Sequence, residues 1–197
     1  MSMSMAYLYL LAGLLLFLGV HSTRVFADDW RTQTRERLGA GPFKGIYSLL
    51  SLAGFVLLVW GYGVARQQPV VLWNPPVAMR HVAALLTLFA FVLLAAAYVP
   101  GNQIKARLHH PMVLGVMVWA LAYLLVNGNL AHGLLFGSFL LWAVLSFRAA
   151  RKRDLASTTI YPAGTVFGTA LTAVAGIAAW AVFAFWAHGL LIGIRPV

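Results

Sequence analysis

The sequence predicts an all-α protein: a polytopic, six-helix transmembrane bundle with both termini outside the cytoplasm. Three observations carry that prediction. Of the 197 residues, 62% are apolar and only 9% charged, far from the composition of a water-soluble domain. Six apolar stretches each approach the roughly 20 residues that a helix needs to cross a bilayer. The basic residues gather in alternate loops between those stretches, as they do in oriented membrane proteins.

The spans are expected near 5–26, 43–65, 78–99, 110–127, 130–149 and 166–192. No connection between them is long enough to house another domain, so 1–197 is read as one transmembrane domain. Fourteen Lys and Arg oppose four acidic residues, Asp28, Asp29, Glu36 and Asp154. An excess of ten positive charges can signal nucleic acid, but here its distribution points to the lipid bilayer as the partner. Eleven basic residues fall in the odd loops and their flanks (Arg24, Arg31, Arg35, Arg37, Lys44, Lys105, Arg107, Arg148, Arg151, Lys152, Arg153), against Arg66, Arg80 and Arg195 on the other side. The odd loops are therefore cytoplasmic. Cysteine is absent, which excludes disulfides, iron–sulfur clusters, thiolate-ligated haem and cysteine zinc sites.

Taken in order, the first span ends in Val25-Phe26-Ala27, with small-residue spacing like that of an export-signal cleavage site. It lacks the basic start of such a signal, so it is kept as a helix. His21 and Arg24 share one stripe of it with Leu10, Leu14 and Phe17. A histidine there is expected to look inward, while Arg24 can reach the cytoplasmic headgroups. Residues 28–37, with mixed charge and Trp30, read as a short interfacial helix. The second span carries Ser48, Ser51 and Gly54, small residues that permit close helix approach, and ends at the interfacial Trp60, Tyr62 and Arg66. The third begins at Arg80-His81. The sixth repeats Gly168, Thr172, Gly176, Trp180, Ala184 and His188 at intervals of four, a packing face whose His188 is read as interfacial.

The fourth span organises the functional reading. His109-His110-Pro111 forms its threshold, Met112 to Val126 its apolar body, and Asn127-Gly128 its end. Imidazoles at the mouth of a membrane helix are costly to bury and are common haem ligands; the structural alternative is that both sit among headgroups. At about 100° per residue, His110 shares a face with Leu114, Met117 and Leu121, whereas Trp119 and Tyr123 point nearly opposite. A rise of about 1.5 Å per residue places His21 roughly 9 Å and His110 roughly 13 Å to the cytoplasmic side of their helix centres. Those depths make His21 and His110 the best-matched pair for the two axial positions of a haem, with His109 in reserve and Arg24 near a propionate. His81, His132 and His188 form a second possible group on the outer side. Its lack of an acidic partner weakens a zinc or di-metal reading.

The runs Gly19-Val20-His21-Ser22-Thr23-Arg24, Lys44-Gly45-Ile46-Tyr47-Ser48-Leu49-Leu50-Ser51-Leu52-Ala53-Gly54-Phe55, Trp60-Gly61-Tyr62-Gly63, and His110-Pro111-Met112 with Asn127-Gly128 together resemble the NnrU family over nearly the whole chain. The resemblance implies a bacterial inner-membrane protein with periplasmic termini, linked by the family name to nitrite and nitric-oxide reductases. The family is also similar to plant 15-cis-zeta-carotene isomerase. That likeness implies haem b held by histidines, redox-gated isomerase chemistry and a lipophilic substrate. His21-Ser22 and His110-Pro111 are the positions carried over. Many relatives have a histidine where this chain has Tyr123; if that histidine is the family's second ligand, this chain binds haem through tyrosinate or His110, or not at all. Two other functions compete: a non-catalytic factor supporting a respiratory reductase, and a membrane methyltransferase of the isoprenylcysteine type, which shares a His-Pro helix entrance but needs an acidic residue to hold a ribose, and the sequence places no acid near His110.

Overall fold

A computed structural model describes residues 3–192. Arg195, counted above for orientation, lies outside the described residues. The regular structure is helical: α1 (Met3–Phe26), α2 (Asp28–Leu38), α3 (Ala40–Ala65), α4 (Met79–Tyr98), α5 (Gln103–Leu108), α6 (Pro111–Val126), α7 (Leu130–Ala156) and α8 (Val166–Val182). A π-helical turn, Phe183–Ala187, then leads into α9 (His188–Ile192). Among the described residues, five helices are long and apolar enough to cross a membrane, and α6, with 16 residues, is a shorter apolar helix. Large apolar side chains stay exposed along them, Leu15 at 76%, Leu49 at 69% and Phe167 at 78%, as hydrocarbon-facing surfaces require.

Helix ends follow local chemistry. Gly39, at φ 83°, makes the break between α2 and α3, in the left-handed region that glycine enters without steric cost. Pro42 then sits in the first turn of α3, where no intrahelical N–H is needed. Pro111 occupies the start of α6 for the same reason. Thr165 caps α8 by accepting a hydrogen bond from the Gly168 N–H at 3.0 Å. The helix expected around 28–37 is α2, with Trp30 58% exposed. The fifth span runs to Ala156 rather than stopping near 149, because nothing in Ala150-Arg151-Lys152-Arg153-Asp154 breaks a helix. The charged segment read as loop is thus helical.

The chain forms two compact units. The first comprises Met1–Asn74 with Gly128–Ser146. In it α1 and α3 meet at glycines: a Cβ on Gly13 would lie 2.3 Å from the Leu58 nitrogen, one on Gly54 2.7 Å from the Phe17 nitrogen, and one on Gly61 2.4 Å from the Leu10 nitrogen. Bare backbone is what lets the helices approach. The segment after α3 folds over the turn before α7 through Leu72 N–H to Gly128 O at 2.7 Å and Leu130 N–H to Val70 O at 2.9 Å.

The second unit comprises Pro75–Asn127 with Phe147–Val197. Here α4 packs on α6 and α8, and the expected face of α8 is buried at Gly168, Thr172 and Gly176. A Cβ on Gly176 would sit 2.6 Å from the Val92 Cα. Asn102 is 2% exposed. Its amide donates to Ala96 O at 2.9 Å, and its carbonyl accepts the Lys105 N–H at 2.7 Å. It thereby satisfies the end of α4 and the start of α5 with one side chain.

Candidate functional sites in the two units

Within the first unit, His21 is half-buried on α1 and its ring is fixed. Nδ1 lies 2.7 Å from the Phe17 carbonyl, which can only accept, so Nδ1 carries the proton and Nε2 presents a lone pair. Metal-binding histidines are commonly oriented by just such a second hydrogen bond. Phe17 lies against the ring at 4.4 Å between centroids, Tyr47 meets it edge-on at 5.4 Å and Trp142 at 6.1 Å. Tyr47 and Ser51 share a face of α3, and Trp142 and Ser146 a face of α7, each pair four residues apart. The Ser51 hydroxyl, the Trp142 indole N–H and the Ser146 hydroxyl are buried without hydrogen-bond partners. Buried donors are nearly always satisfied, so a polar ligand or ordered water is the natural complement to this interior. Arg24, three residues beyond His21, is exposed at the end of α1.

The second unit holds His110, which meets a residue the sequence reading did not connect to it. Its Nε2–H donates to Asp154 Oδ2 at 2.8 Å. Asp154 also accepts the Tyr161 hydroxyl at 3.1 Å and lies 3.7 Å from the Arg151 guanidinium. His109, at φ 66° in the left-handed region that side chains avoid, stacks on Tyr161 at 4.0 Å. Its Nδ1 accepts from Arg151. The reading that no acid stands near this entrance is corrected by Asp154, 44 residues away in sequence. Tyr161 lies in the connection beyond α7; burial pushes its phenol up, the Asp154 carboxylate pushes it further, and Arg151 pulls the other way. It is therefore a neutral donor across the physiological range.

Tyr123 is turned away from this cluster, as helical spacing requires, and its ring lies 6.3 Å from that of His188. His188, read as interfacial, is 6% exposed and packs edge-on against Phe183 at 5.4 Å. The π-helical turn stands just before it, and its wider turn keeps His188 on the buried face that recurs every four residues. Of the other outer histidines, His81 is exposed on α4, while His132 belongs to the first unit. Among the described residues, no three or more histidine and acidic side chains converge in a way that could hold a metal ion. His21 and His110, paired in the sequence reading, fall in the first and second unit respectively.

The family model described as NnrU protein covers residues 9–196. No curated protein and no solved structure matches the chain.

Proposed function

The chain belongs to the NnrU family, and from that premise we propose that it is a haem b-binding protein of the bacterial inner membrane. It crosses the membrane six times with both termini periplasmic, and serves nitrite and nitric-oxide reductase function through redox or isomerase chemistry on a lipophilic substrate. His21 is the residue that would hold its iron. The observation that carries the reading is its imidazole, with Nδ1 tied to the Phe17 carbonyl so that Nε2 presents a lone pair, and with the Trp142 ring, whose buried indole N–H lacks a partner, edge-on to it. Haem, when bound, supplies one-electron redox chemistry and a Lewis-acidic iron.

The remaining roles belong to the chain's own side chains. Phe17, Tyr47 and Trp142 wall the His21 ring and exclude water. Arg24 is exposed and takes a carboxylate at the membrane surface. Coordination at His110 would use Nδ1, since Asp154 holds Nε2. His109 is a weaker reserve because Arg151 engages its Nδ1, and Tyr123 keeps its own setting beside His188.

Protein purified from haem-replete cells should show a Soret band that shifts on reduction. His21→Ala should abolish it, and His110→Ala reports whether the second histidine contributes. Colourless wild-type protein with intact helical content sinks the proposal.

A second reading, a non-catalytic factor supporting a reductase, is favoured by the Asp154 cluster. That cluster holds the connection after α7 to the entrance of α6. Under it, His21→Ala leaves reductase maturation intact while Asp154→Ala impairs it.

A further inference from the structure

At the entrance to α6 the backbone turns in a way that few side chains tolerate. His109 has φ 66° and ψ −49°, and the His110 N–H donates to the Leu108 carbonyl two residues back at 2.8 Å. That is a γ-turn of the rare, strained hand. Glycine would relieve the strain, yet the ring that histidine supplies is built into its surroundings. It stacks on Tyr161 at 4.0 Å, and the next ring, of His110, meets the same phenol edge-on at 6.2 Å. Strain that the neighbours hold in place is a pointer to function.

The partners of the two imidazoles fix what each has left to offer. Arg151 can only donate, so His109 Nδ1 holds the lone pair and the ring proton sits on Nε2. His110 gives its Nε2–H to Asp154 at 2.8 Å, which leaves Nδ1 as the acceptor of the neutral ring. Among the described residues neither His109 Nε2–H nor His110 Nδ1 has a partner. Both side chains are partly exposed, at 25% and 21%. Adjacent residues thus present one free donor and one free acceptor.

A hydroxyl group answers both, because it donates and accepts through one oxygen. Charge and position specify what carries the hydroxyl. Asp154 is already engaged by His110, Tyr161 and Arg151. Arg148, three residues before Arg151 and so on the same side of α7, is exposed, as is Arg107 two residues before His109. These guanidinium groups favour an anion. The two histidines directly precede the apolar helix Pro111–Val126, which puts their rings at the level of lipid headgroups.

We propose that His109 and His110 form a headgroup site selective for phospholipids of the phosphoglycerol class, whose phosphodiester is anionic and whose terminal glycerol has free hydroxyls. A glycerol hydroxyl donates to His110 Nδ1 and accepts from His109 Nε2–H, while the phosphodiester takes Arg148. The site goes beyond both functional readings: neither assigns a lipid, and with a hydroxyl on His110 Nδ1 any iron is left to His21.

The test titrates full-length protein in detergent with dioleoylphosphatidylglycerol or dioleoylphosphatidylethanol, read by native mass spectrometry. The second lipid has the same chains and charge but ends in an ethyl group without hydroxyls. Wild-type protein should bind the first roughly tenfold more tightly, the ratio that one well-made hydrogen bond supplies. His110→Gln keeps an N–H for Asp154 but removes the Nδ1 acceptor. His109→Asn keeps an oxygen for Arg151, suits a positive φ and removes the Nε2–H donor. Each should erase the preference while leaving affinity for the ethyl lipid unchanged, which a merely structural loss does not do. Arg148→Gln should weaken both lipids alike, and His21→Ala should leave the preference intact. Glycerol phosphate, the headgroup without acyl chains, should fail to displace the lipid. Equal affinities in wild-type protein, a preference that survives in either histidine variant, an Arg148→Gln protein that binds both lipids as before, a preference lost in His21→Ala, or displacement by glycerol phosphate overturns the proposal.

Discussion

Asp154 gathers more polar partners than any residue expected to matter. Its carboxylate, 13% exposed, accepts from His110 and Tyr161 and faces Arg151. Asp154→Asn keeps the shape but removes the charge, and with hydrogen bonds to charged groups contributing about 1.5–3 kcal/mol, thermal stability in detergent should fall by an amount of that order. The variant also moves a titration. Because the folded Tyr161 phenol sits above its unfolded value, its contribution to stability is intact below the ordinary tyrosine range and is lost as pH climbs through and beyond it. Phenolate absorbance should therefore show a late-ionising component that Tyr161→Phe deletes and Asp154→Asn shifts down. A Tyr161 that titrates with the exposed tyrosines would contradict the geometry. None of this could be read from the sequence, since a pairing across 44 positions leaves no periodic trace and Asp154 was assigned to a loop. The only local hint was Arg151 three residues before it, a helical spacing.

At the level of the helix, the decisive feature is which glycines face a neighbour. The small-residue faces at Gly54 and at Gly168, Thr172 and Gly176 were readable, because regular intervals of small side chains have few uses other than close packing. Gly13 and Gly61 were not singled out, since they stand in runs as apolar as the lipid-facing ones. Gly61→Ala would drive a Cβ to 2.4 Å from the Leu10 backbone. The helices must then separate, at a cost of about 1–3 kcal/mol or more. Gly19, on α1, whose added Cβ meets nothing within 4 Å, is the control, and Gly19→Ala should be neutral or slightly stabilising. Equal melting temperatures for Gly19→Ala and Gly61→Ala, measured by fluorescence-detected gel filtration after heating, would show that α1 and α3 do not pack through these glycines. The π-helical turn before His188 extends that lesson: its wider turn keeps Ala184 and His188 on the buried face that recurs every four residues, so the spacing that marked the face also foretold a buried His188, against its reading as interfacial.

For the whole molecule, the open question is whether α6 is a span. Its 16 residues rise about 24 Å, short of a hydrocarbon core of about 30 Å. Local thinning and flanking side chains can absorb that mismatch. Charge argues that it does cross: from Pro111 to Phe147 the chain has no Lys, Arg, Asp or Glu, and the basic clusters before and after this stretch belong on one side only if it crosses twice. The absence of cysteine makes a clean test available, since each introduced thiol reports alone. Thr32→Cys, Arg107→Cys and Ser157→Cys should react with an impermeant maleimide only once the cytoplasmic face is opened, while Gln68→Cys should react from the outside. The pair Arg107→Cys and Ser157→Cys decides the matter, because α6 and α7 lie between them. Labelling of both from the cytoplasmic face requires two crossings and so makes α6 a span, whereas labelling from opposite faces leaves α7 as the single crossing between them and puts the C-terminus in the cytoplasm.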